Sequence, residues 1–277
     1  MITRPLVIKV GGELLEDPAH RANVVSALEA IGRDAKSLVI IHGGGKEIDA
    51  ALKTAGIEKK QVDGLRVTDE ATLDVAVAVL AGTINTRLVA ALSAAGVPAV
   101  GLTGADAKIG LAELAPPHAA IDGRTIDLGR VGVPAADADA RLLHALVDER
   151  FVPVIACIGI GRDGRLLNVN ADTLAGHLAA RLRARRLVVA GATPGVLDRS
   201  GATLTTLDAK AMADLVNDGT ASAGMIAKLR ACEHALEGGV DDVVIVDGRN
   251  ADALRAAAIT GASPLATRIG VQNGSLA

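Results

Sequence analysis

Leu6-Val7-Ile8-Lys9-Val10-Gly11-Gly12 is an apolar run of β-forming residues that carries one lysine and stops at two glycines. A strand that ends in residues without side chains leaves backbone N–H groups free to approach an anion, and Lys9 sets a positive charge beside them. Taken alone, the segment equally fits a buried first strand whose lysine snorkels before an ordinary turn. A second cluster, His42-Gly43-Gly44-Gly45, stands in the same way at the end of the next apolar run, Leu38 to Ile41. The repetition points to a phosphate site.

The chain has 277 residues, enough for one large α/β domain or two closely packed lobes without disulfides or structural metal. Hydrophobic residues make up 50% of it, and no uninterrupted apolar run is long enough to cross a bilayer. Met1 precedes the first strand by a few residues, so no signal or transit peptide is expected and the expected setting is the cytoplasm. Cys157 and Cys232 fall in apolar strand-like and helical runs and read as buried thiols. A net charge of -3, with no Trp, no Tyr and one Phe, gives neither attraction to nucleic acid nor a platform for stacking bases. Arg181, Arg183, Arg185 and Arg186 read instead as cations at the C-terminal end of a helix.

Outward from the opening stretch, Asp17-Pro18 reads as an N-cap and first helical position, opening a helix to about Gly32. After the strand Leu38 to Ile41 a helix runs from Lys46 to Ala55, ended by Gly56. Gln61 to Val67 reads as a loop or small hairpin. Thr68 is placed to cap a long Ala- and Val-rich helix ending near Gly96, followed by the strand Pro98 to Leu102. Thr103 to Pro134 reads as a hairpin-rich flap. A helix from Ala138 to Arg150 and a strand from Phe151 to Ile158 restore the α/β rhythm. A helix from Asn170 to Ala184, a strand from Arg186 to Ala190, helices near Asp208 to Val216 and Gly224 to Leu236, a strand from Asp242 to Val246 and a helix from Ala251 complete it. Such alternation predicts an α/β fold with a mainly parallel sheet covered on both faces. A lobe boundary is expected near Gly161 to Asn170, dividing 1–167 from 168–277.

Two textual motifs fail on context. Gly159-Ile-Gly161-Arg-Asp-Gly164 fits the dinucleotide glycine pattern, but Leu166-Leu167 follows, so an Asp-Gly hairpin replaces the required helix. Gly43-Gly44-Gly45-Lys46 lacks the leading glycine and the trailing Ser or Thr of a Walker loop. Asn168-Val169-Asn170-Ala171-Asp172-Thr173 tells more: Asn170 caps a helix with Asp172 in its first turn, which leaves Asn168 unexplained. In Ser222-Ala223-Gly224-Met225-Ile226-Ala227-Lys228 a lysine stands near a helix N-terminus, where the dipole disfavours it unless an anion is bound.

Together and in this order these units resemble the amino-acid kinase family, and within it the acetylglutamate kinase branch. The matching residues are Lys9-Val10-Gly11-Gly12, His42-Gly43-Gly44-Gly45, Gly64-Leu65-Arg66-Val67-Thr68, Gly101-Leu102-Thr103-Gly104, Asn168-Val169-Asn170-Ala171-Asp172, Pro194-Gly195-Val196-Leu197 and Gly224-Met225-Ile226-Ala227-Lys228. They run through nearly the whole chain, from Leu6 to Ile269. The resemblance implies an αβα sandwich of two lobes, the first binding N-acetyl-L-glutamate and the second ATP. It also implies ATP-dependent phosphorylation of the substrate's side-chain carboxylate.

By the family pattern, Lys9 and Lys228 would bracket the transferred phosphoryl group while Asp172 holds both ammonium groups. Gly11, Gly12, Gly44 and Gly45 would offer backbone N–H donors, Arg66 would pair with the substrate α-carboxylate, and Asn168 with Asn170 would complete the substrate side. Nucleotide would lie along Ala192, Thr193, Pro194, Gly195, Val196 and Leu197 and along Thr220, Ala221 and Ser222. Mg²⁺ is expected through the ATP phosphates, with no dedicated protein metal site. A carboxylate acceptor of pKa near ~4.3 needs no general base, so none of the histidines is assigned one.

There are departures: Gly191-Ala192-Thr193 replaces the family's more usual polar pair with an aspartate, and Asp106-Ala107-Lys108 a glycine-rich continuation. Arginine-inhibited relatives carry an N-terminal helix and an acidic, glycine-rich segment near the C-terminus that this sequence does not show. A homodimer without arginine feedback is therefore expected. Two alternatives stay open, a sister kinase acting on carrier-linked aminoadipate and a non-catalytic amino-acid sensor of the same fold.

Overall fold

The computed structural model describes residues 4–120, 123–217 and 223–270. The first part of the chain forms β1 (Leu6–Val10), α1 (Glu13–Glu16), α2 (Pro18–Ala35), β2 (Leu38–His42), α3 (Gly45–Thr54), and the hairpin β3 (Gln61–Val62) and β4 (Leu65–Arg66). A long helix follows as α4 (Glu70–Val77), a π-helical segment (Ala78–Ile84) and α5 (Asn85–Ala94), leading into β5 (Ala99–Thr103). The flap holds β6 (Ala112–Leu114), β7 (His118–Ala119), β8 (Thr125–Ile126) and β9 (Val131–Pro134). Then come α6 (Arg141–Asp148), β10 (Val152–Ala156), β11 (Ile158–Ile160), β12 (Leu166–Val169), α7 (Ala171–Arg181) and β13 (Arg186–Gly191). The rest is β14 (Val196–Leu197), β15 (Thr203–Leu204), β16 (Thr206–Leu207), α8 (Ala209–Asn217), α9 (Ala223–Glu237), β17 (Asp242–Asp247), α10 (Ala251–Ile259) and β18 (Ala266–Gly270).

Eight strands make one sheet in the order β16-β18-β17-β13-β1-β2-β10-β5, parallel except where β17 meets β18. β1 and β2 are buried along their whole lengths, as strands covered on both faces must be. From β1 the chain builds β2, β5 and β10 on one side, then crosses to build β13, β17 and β18 on the other. A reversal of this kind opens a crevice at the carboxyl ends of the central strands. Both glycine clusters lie there.

Local chemistry explains most boundaries. Asp17 accepts from the N–H groups of Ala19 and His20 and starts α2, which Lys36 ends in a left-handed conformation with φ of 61°. The cap of the long helix is Asp69, which accepts from Thr72 N–H at 2.8 Å, and not Thr68. Thr68 is buried and uses its hydroxyl on the Arg66 carbonyl. Asp-Gly does turn the β11–β12 hairpin, where Gly161 N–H meets the Arg165 carbonyl at 2.8 Å.

Other expectations need correction. The strand expected from Phe151 to Ile158 breaks at Cys157, and β11 leaves the main sheet for a four-stranded one ordered β11-β12-β9-β6. Arg186 is not a helix-end cation; it opens β13 and pairs with Asp242 at 2.7 Å. Glu70–Ala94 is long and apolar enough to cross a membrane, one 18-residue window of it having mean hydropathy 1.8, although 39% of that window is buried in the protein. Asp74 and Arg87 interrupt it, so it contains no uninterrupted apolar run of that length.

Candidate active site

The site begins with Lys9, the only charged residue of β1 and just 5% exposed. Its ammonium lies 2.9 Å from one carboxylate oxygen of Asp172, and the Lys228 ammonium lies 3.4 Å from the other. Burial pulls the Lys9 pKa downward more than any other influence, but Asp172 and Glu13 together outweigh it and hold the value above normal. For Asp172 burial pushes upward, and Lys9 and Lys228 overcome it to hold the carboxyl below its ordinary value. Lys9 and Asp172 therefore stay charged, with the acid set between two cations.

Asp172 is placed by the start of α7, where Asn170 accepts from the N–H groups of Asp172 at 2.9 Å and Thr173 at 3.1 Å. Lys228 is placed by α9, which packs closely on α7. A Cβ on Gly176 of α7 would fall 2.5 Å from the Ala231 carbonyl of α9, so only glycine permits that approach. Small residues on α7 thus put a cation of one helix beside the acid of the other.

The two glycine loops touch. A Cβ on Gly12 would fall 2.6 Å from Gly44 Cα, and one on Gly44 would fall 2.1 Å from Ile84 Cδ1, at the end of the π-helical segment. Gly12 and Gly44 stand at the starts of α1 and α3, and among the described residues no group accepts from the N–H of Gly12, Gly44 or Gly45. Helix N-termini with free donors favour anions. The Gly11 N–H departs from expectation: it is already given to the Ala190 carbonyl at 2.9 Å. Gly11 instead leaves room for Glu13, whose Oε1 a Cβ there would approach to 2.4 Å.

His42, for which no role is expected from sequence, supports this loop. Its Nε2 meets the Asn85 amide at 3.0 Å, the same amide donates to the Val154 carbonyl at 2.8 Å, and its Nδ1 faces the Gly43 carbonyl at 3.1 Å. With Asn85 donating, Nε2 accepts and Nδ1 carries the proton to Gly43. Burial pushes the ring down to about 4 and keeps it neutral.

A cleft of about 240 Å³ gathers most of the expected residues: Lys9, Gly12, Gly44, Gly45, Arg66, Asn168, Asn170 and Asp172 line it. Lys228 joins through Asp172. Asn168 donates to Thr68 Oγ1 at 3.2 Å, and Arg66 Nη1 is buried with no hydrogen-bond partner among the described residues. Glu13, Leu65 and Val131 also line the cleft and were not picked out. Leu65 was within reach, since it lies inside the quoted Gly64 to Thr68 motif; Glu13 lies between the glycine pair and the Asp17 cap, where no sequence signal marks it.

Ala192, Thr193, Pro194, Gly195, Val196 and Leu197 do not line this cleft. They follow the end of β13, the other neighbour of β1, where Val196 N–H donates to Thr267 Oγ1 at 2.7 Å. Thr220, Ala221 and Ser222 lie outside the described residues. Among the described residues no group of three or more His, Cys, Asp or Glu is arranged to hold a metal ion.

Comparison with known proteins places this geometry. The chain is 45% identical over 251 residues to an acetylglutamate kinase of Sphingopyxis alaskensis, covering 88% of this chain and 82% of that protein. It is 44% identical over 254 residues to an acetylglutamate kinase of Erythrobacter litoralis, covering 89% and 83% respectively. Among solved structures it resembles an N-acetylglutamate synthase of Neisseria gonorrhoeae, complexed with coenzyme A and N-acetyl-glutamate, at a TM-score of 0.82 and 27% identity. That match covers 97% of this chain but only 60% of the synthase. Residues 4–247 match the amino acid kinase family, and the chain is a member of that family of α/β kinases.

Proposed function

We propose that the chain transfers the γ-phosphoryl group of ATP to the side-chain carboxylate of N-acetyl-L-glutamate, giving N-acetyl-L-glutamyl 5-phosphate in arginine biosynthesis. The observation that carries this reading is Asp172 held between Lys9 and Lys228 at the mouths of two glycine loops with free N–H groups. The names of the relatives supply the acceptor.

A carboxylate oxygen attacks the γ-phosphorus, the bond from phosphorus to the β–γ bridging oxygen breaks, and ADP leaves with that electron pair. No proton moves. The difficulty is repulsion between anions, which positioning and charge neutralisation must overcome. Lys9 and Lys228 supply the charge, and Asp172 fixes both ammonium groups before substrates arrive. Gly12, Gly44 and Gly45 direct N–H groups at oxygens that gain charge in the transition state. Arg66 Nη1, buried and without a partner among the described residues, receives the α-carboxylate, and Asn168 and Asn170 line the same cleft.

Nucleotide lies along Ala192 to Leu197, with 1–167 serving as the acceptor lobe and 168–277 as the nucleotide lobe. Mg²⁺ would be held through the ATP phosphates and not by a protein cluster, and would offset their charge. The setting is cytoplasmic. The assembly is a homodimer, supported by two features of one face: β5 ends the sheet, and the adjoining helix exposes Ala71, Ala78, Gly82, Thr83 and Ala90. Light scattering after size exclusion tests the dimer.

The reaction is tested by ADP release from Mg-ATP with N-acetyl-L-glutamate, free glutamate, aspartate or bicarbonate plus ammonia, with hydroxylamine trapping the acyl phosphate. Turnover with N-acetyl-L-glutamate alone is expected. Silence on every acceptor, in a protein that binds N-acetyl-L-glutamate, would overturn the kinase reading in favour of a sensor.

A further inference from the structure

Asp49 lies on α3, outside every motif that the sequence singled out. One of its oxygens accepts from Arg66 Nη2 at 2.5 Å and the other from Lys59 Nζ at 2.6 Å. Arg66 Nη2 also donates to the Gly45 carbonyl at 3.1 Å. Arg66 sits on the two-residue strand β4, and its side chain is only 9% exposed. A short hairpin cannot hold a long side chain by its own ladder, so Asp49 and Gly45 fix the guanidinium from α3. They occupy one edge of the fork and leave Nη1, buried and without a partner among the described residues, for the cleft.

We propose that Asp49 is a positioning residue for recognition of the substrate α-carboxylate, acting through Arg66, and that Lys59 preserves the positive charge this recognition needs. The inference rests on the proposed binding of N-acetyl-L-glutamate by Arg66. A guanidinium facing a carboxylate gains from planar, directed donors, and that gain is lost when the fork is free to turn. An Arg–Asp pair alone would be neutral and would offer an incoming anion little attraction. Lys59 on the far oxygen restores one positive charge to the group. Burial pushes the Asp49 carboxyl upward, but the hydrogen bonds from Lys59 and Arg66 outweigh it and keep it ionised.

Charge counting and positioning predict opposite signs. Removing the Asp49 charge raises the local positive charge, so counting alone predicts tighter binding of a dianionic acceptor. Positioning predicts weaker binding. The experiment compares Asp49→Asn and Lys59→Met with the unaltered protein on two acceptors, N-acetyl-L-glutamate and 4-acetamidobutyrate, which keeps the reacting carboxylate and lacks the α-carboxylate.

The expected result is a roughly tenfold rise in KM for N-acetyl-L-glutamate in each variant, kcat within about twofold, and no change in KM for 4-acetamidobutyrate. A KM that rises alike for both acceptors would make Asp49 mere scaffold and overturn the proposal. So would a KM for N-acetyl-L-glutamate that stays level or falls in Asp49→Asn. Lys59→Met, at a side chain 40% exposed, tests the charge half of the proposal, and Asp49→Glu, for which charge counting predicts no change and positioning a higher KM for N-acetyl-L-glutamate, keeps the test decisive if Asp49→Asn folds poorly. Indifference of the unaltered protein to the α-carboxylate, with KM equal for the two acids or no turnover of either, would instead sink the reading of Arg66 and this inference with it.

Discussion

Asp172 holds Lys9 at 2.9 Å and Lys228 at 3.4 Å through its two different oxygens. The acid is 7% exposed, so its charge is tolerable only because both cations are there. Asp172→Asn should therefore leave two ammonium groups facing each other with nothing between them. Breaking a buried pair in this way costs about 3–5 kcal/mol, and chemical denaturation at pH 7 should show a loss of that order. The folded pKa of Asp172 is depressed, so its contribution is present above the unfolded value of about 3.9 and is lost as pH falls through the folded one. The gap between the two proteins should accordingly narrow in acid. A gap that stays constant down to pH 3 would show that Asp172 is not the group responsible.

Lys228→Ala separates chemistry from binding. The side chain is 21% exposed and reaches Asp172 from α9, while Arg66, Asn168 and the glycine loops belong to other elements. Loss of one directed charge on the transferred group should raise the barrier by about 3 kcal/mol, a fall in kcat of roughly a hundredfold or more. KM for N-acetyl-L-glutamate should stay within a few fold. Steady-state kinetics decide: a kcat near that of the unaltered protein would remove Lys228 from the reaction.

Much of this site was legible because its elements are punctuated by residues with one physical use. Glycine pairs after β1 and β2, Asn170 before α7 and a lysine near the start of α9 announce strand ends, caps and an anion. Contacts between elements distant in sequence were not legible. Nothing in the text says that Asn85 reaches His42, 43 positions away, or that the π-helical segment lays Ile84 on Gly44. Asp69 displaced Thr68 as a cap because Thr68 is drawn into the core by Arg66 and Asn168. β18 is as long as β1 but carries Thr267 and Arg268 in place of a continuous apolar run, so Ala266–Gly270 gives no strand signal.

The glycines of the two loops should respond very differently to an added methyl group. Gly12→Ala would drive a Cβ to 2.6 Å from Gly44 Cα and 2.8 Å from Gly44 N, backbone atoms that cannot swing away. Overpacking of this kind costs about 1–3 kcal/mol and should separate the loops, abolishing activity. Gly45→Ala meets nothing within 4 Å. It starts α3, so stability should hold within about 0.5 kcal/mol. If Gly45 faces a bound phosphate or acceptor, activity alone should fall. Thermal melts paired with turnover check this, and a Gly45→Ala protein of full activity would place the ligand elsewhere.

Two buried histidines predict how the protein fails in acid. Burial lowers His42 to about 4, and burial, with His234 and Arg181 adding to it, lowers His177 to about 4 as well. Both remain neutral in the folded state while the unfolded chain binds protons near pH 6.5, so between these values the unfolded state holds more protons. Stability must then rise with pH across this window and drain away as pH falls from 6.5 toward 4. A shift of this size corresponds to at most about 3 kcal/mol per histidine. Urea denaturation from pH 7.5 to 4.5 should give a falling midpoint, and His42→Gln should flatten the slope by roughly half whatever it does to absolute stability. An unchanged slope in both His42→Gln and His177→Gln would mean that the rings protonate without unfolding. The hydrogen bond from Nδ1 to the Gly43 carbonyl would then be no obstacle to charge at the edge of the site.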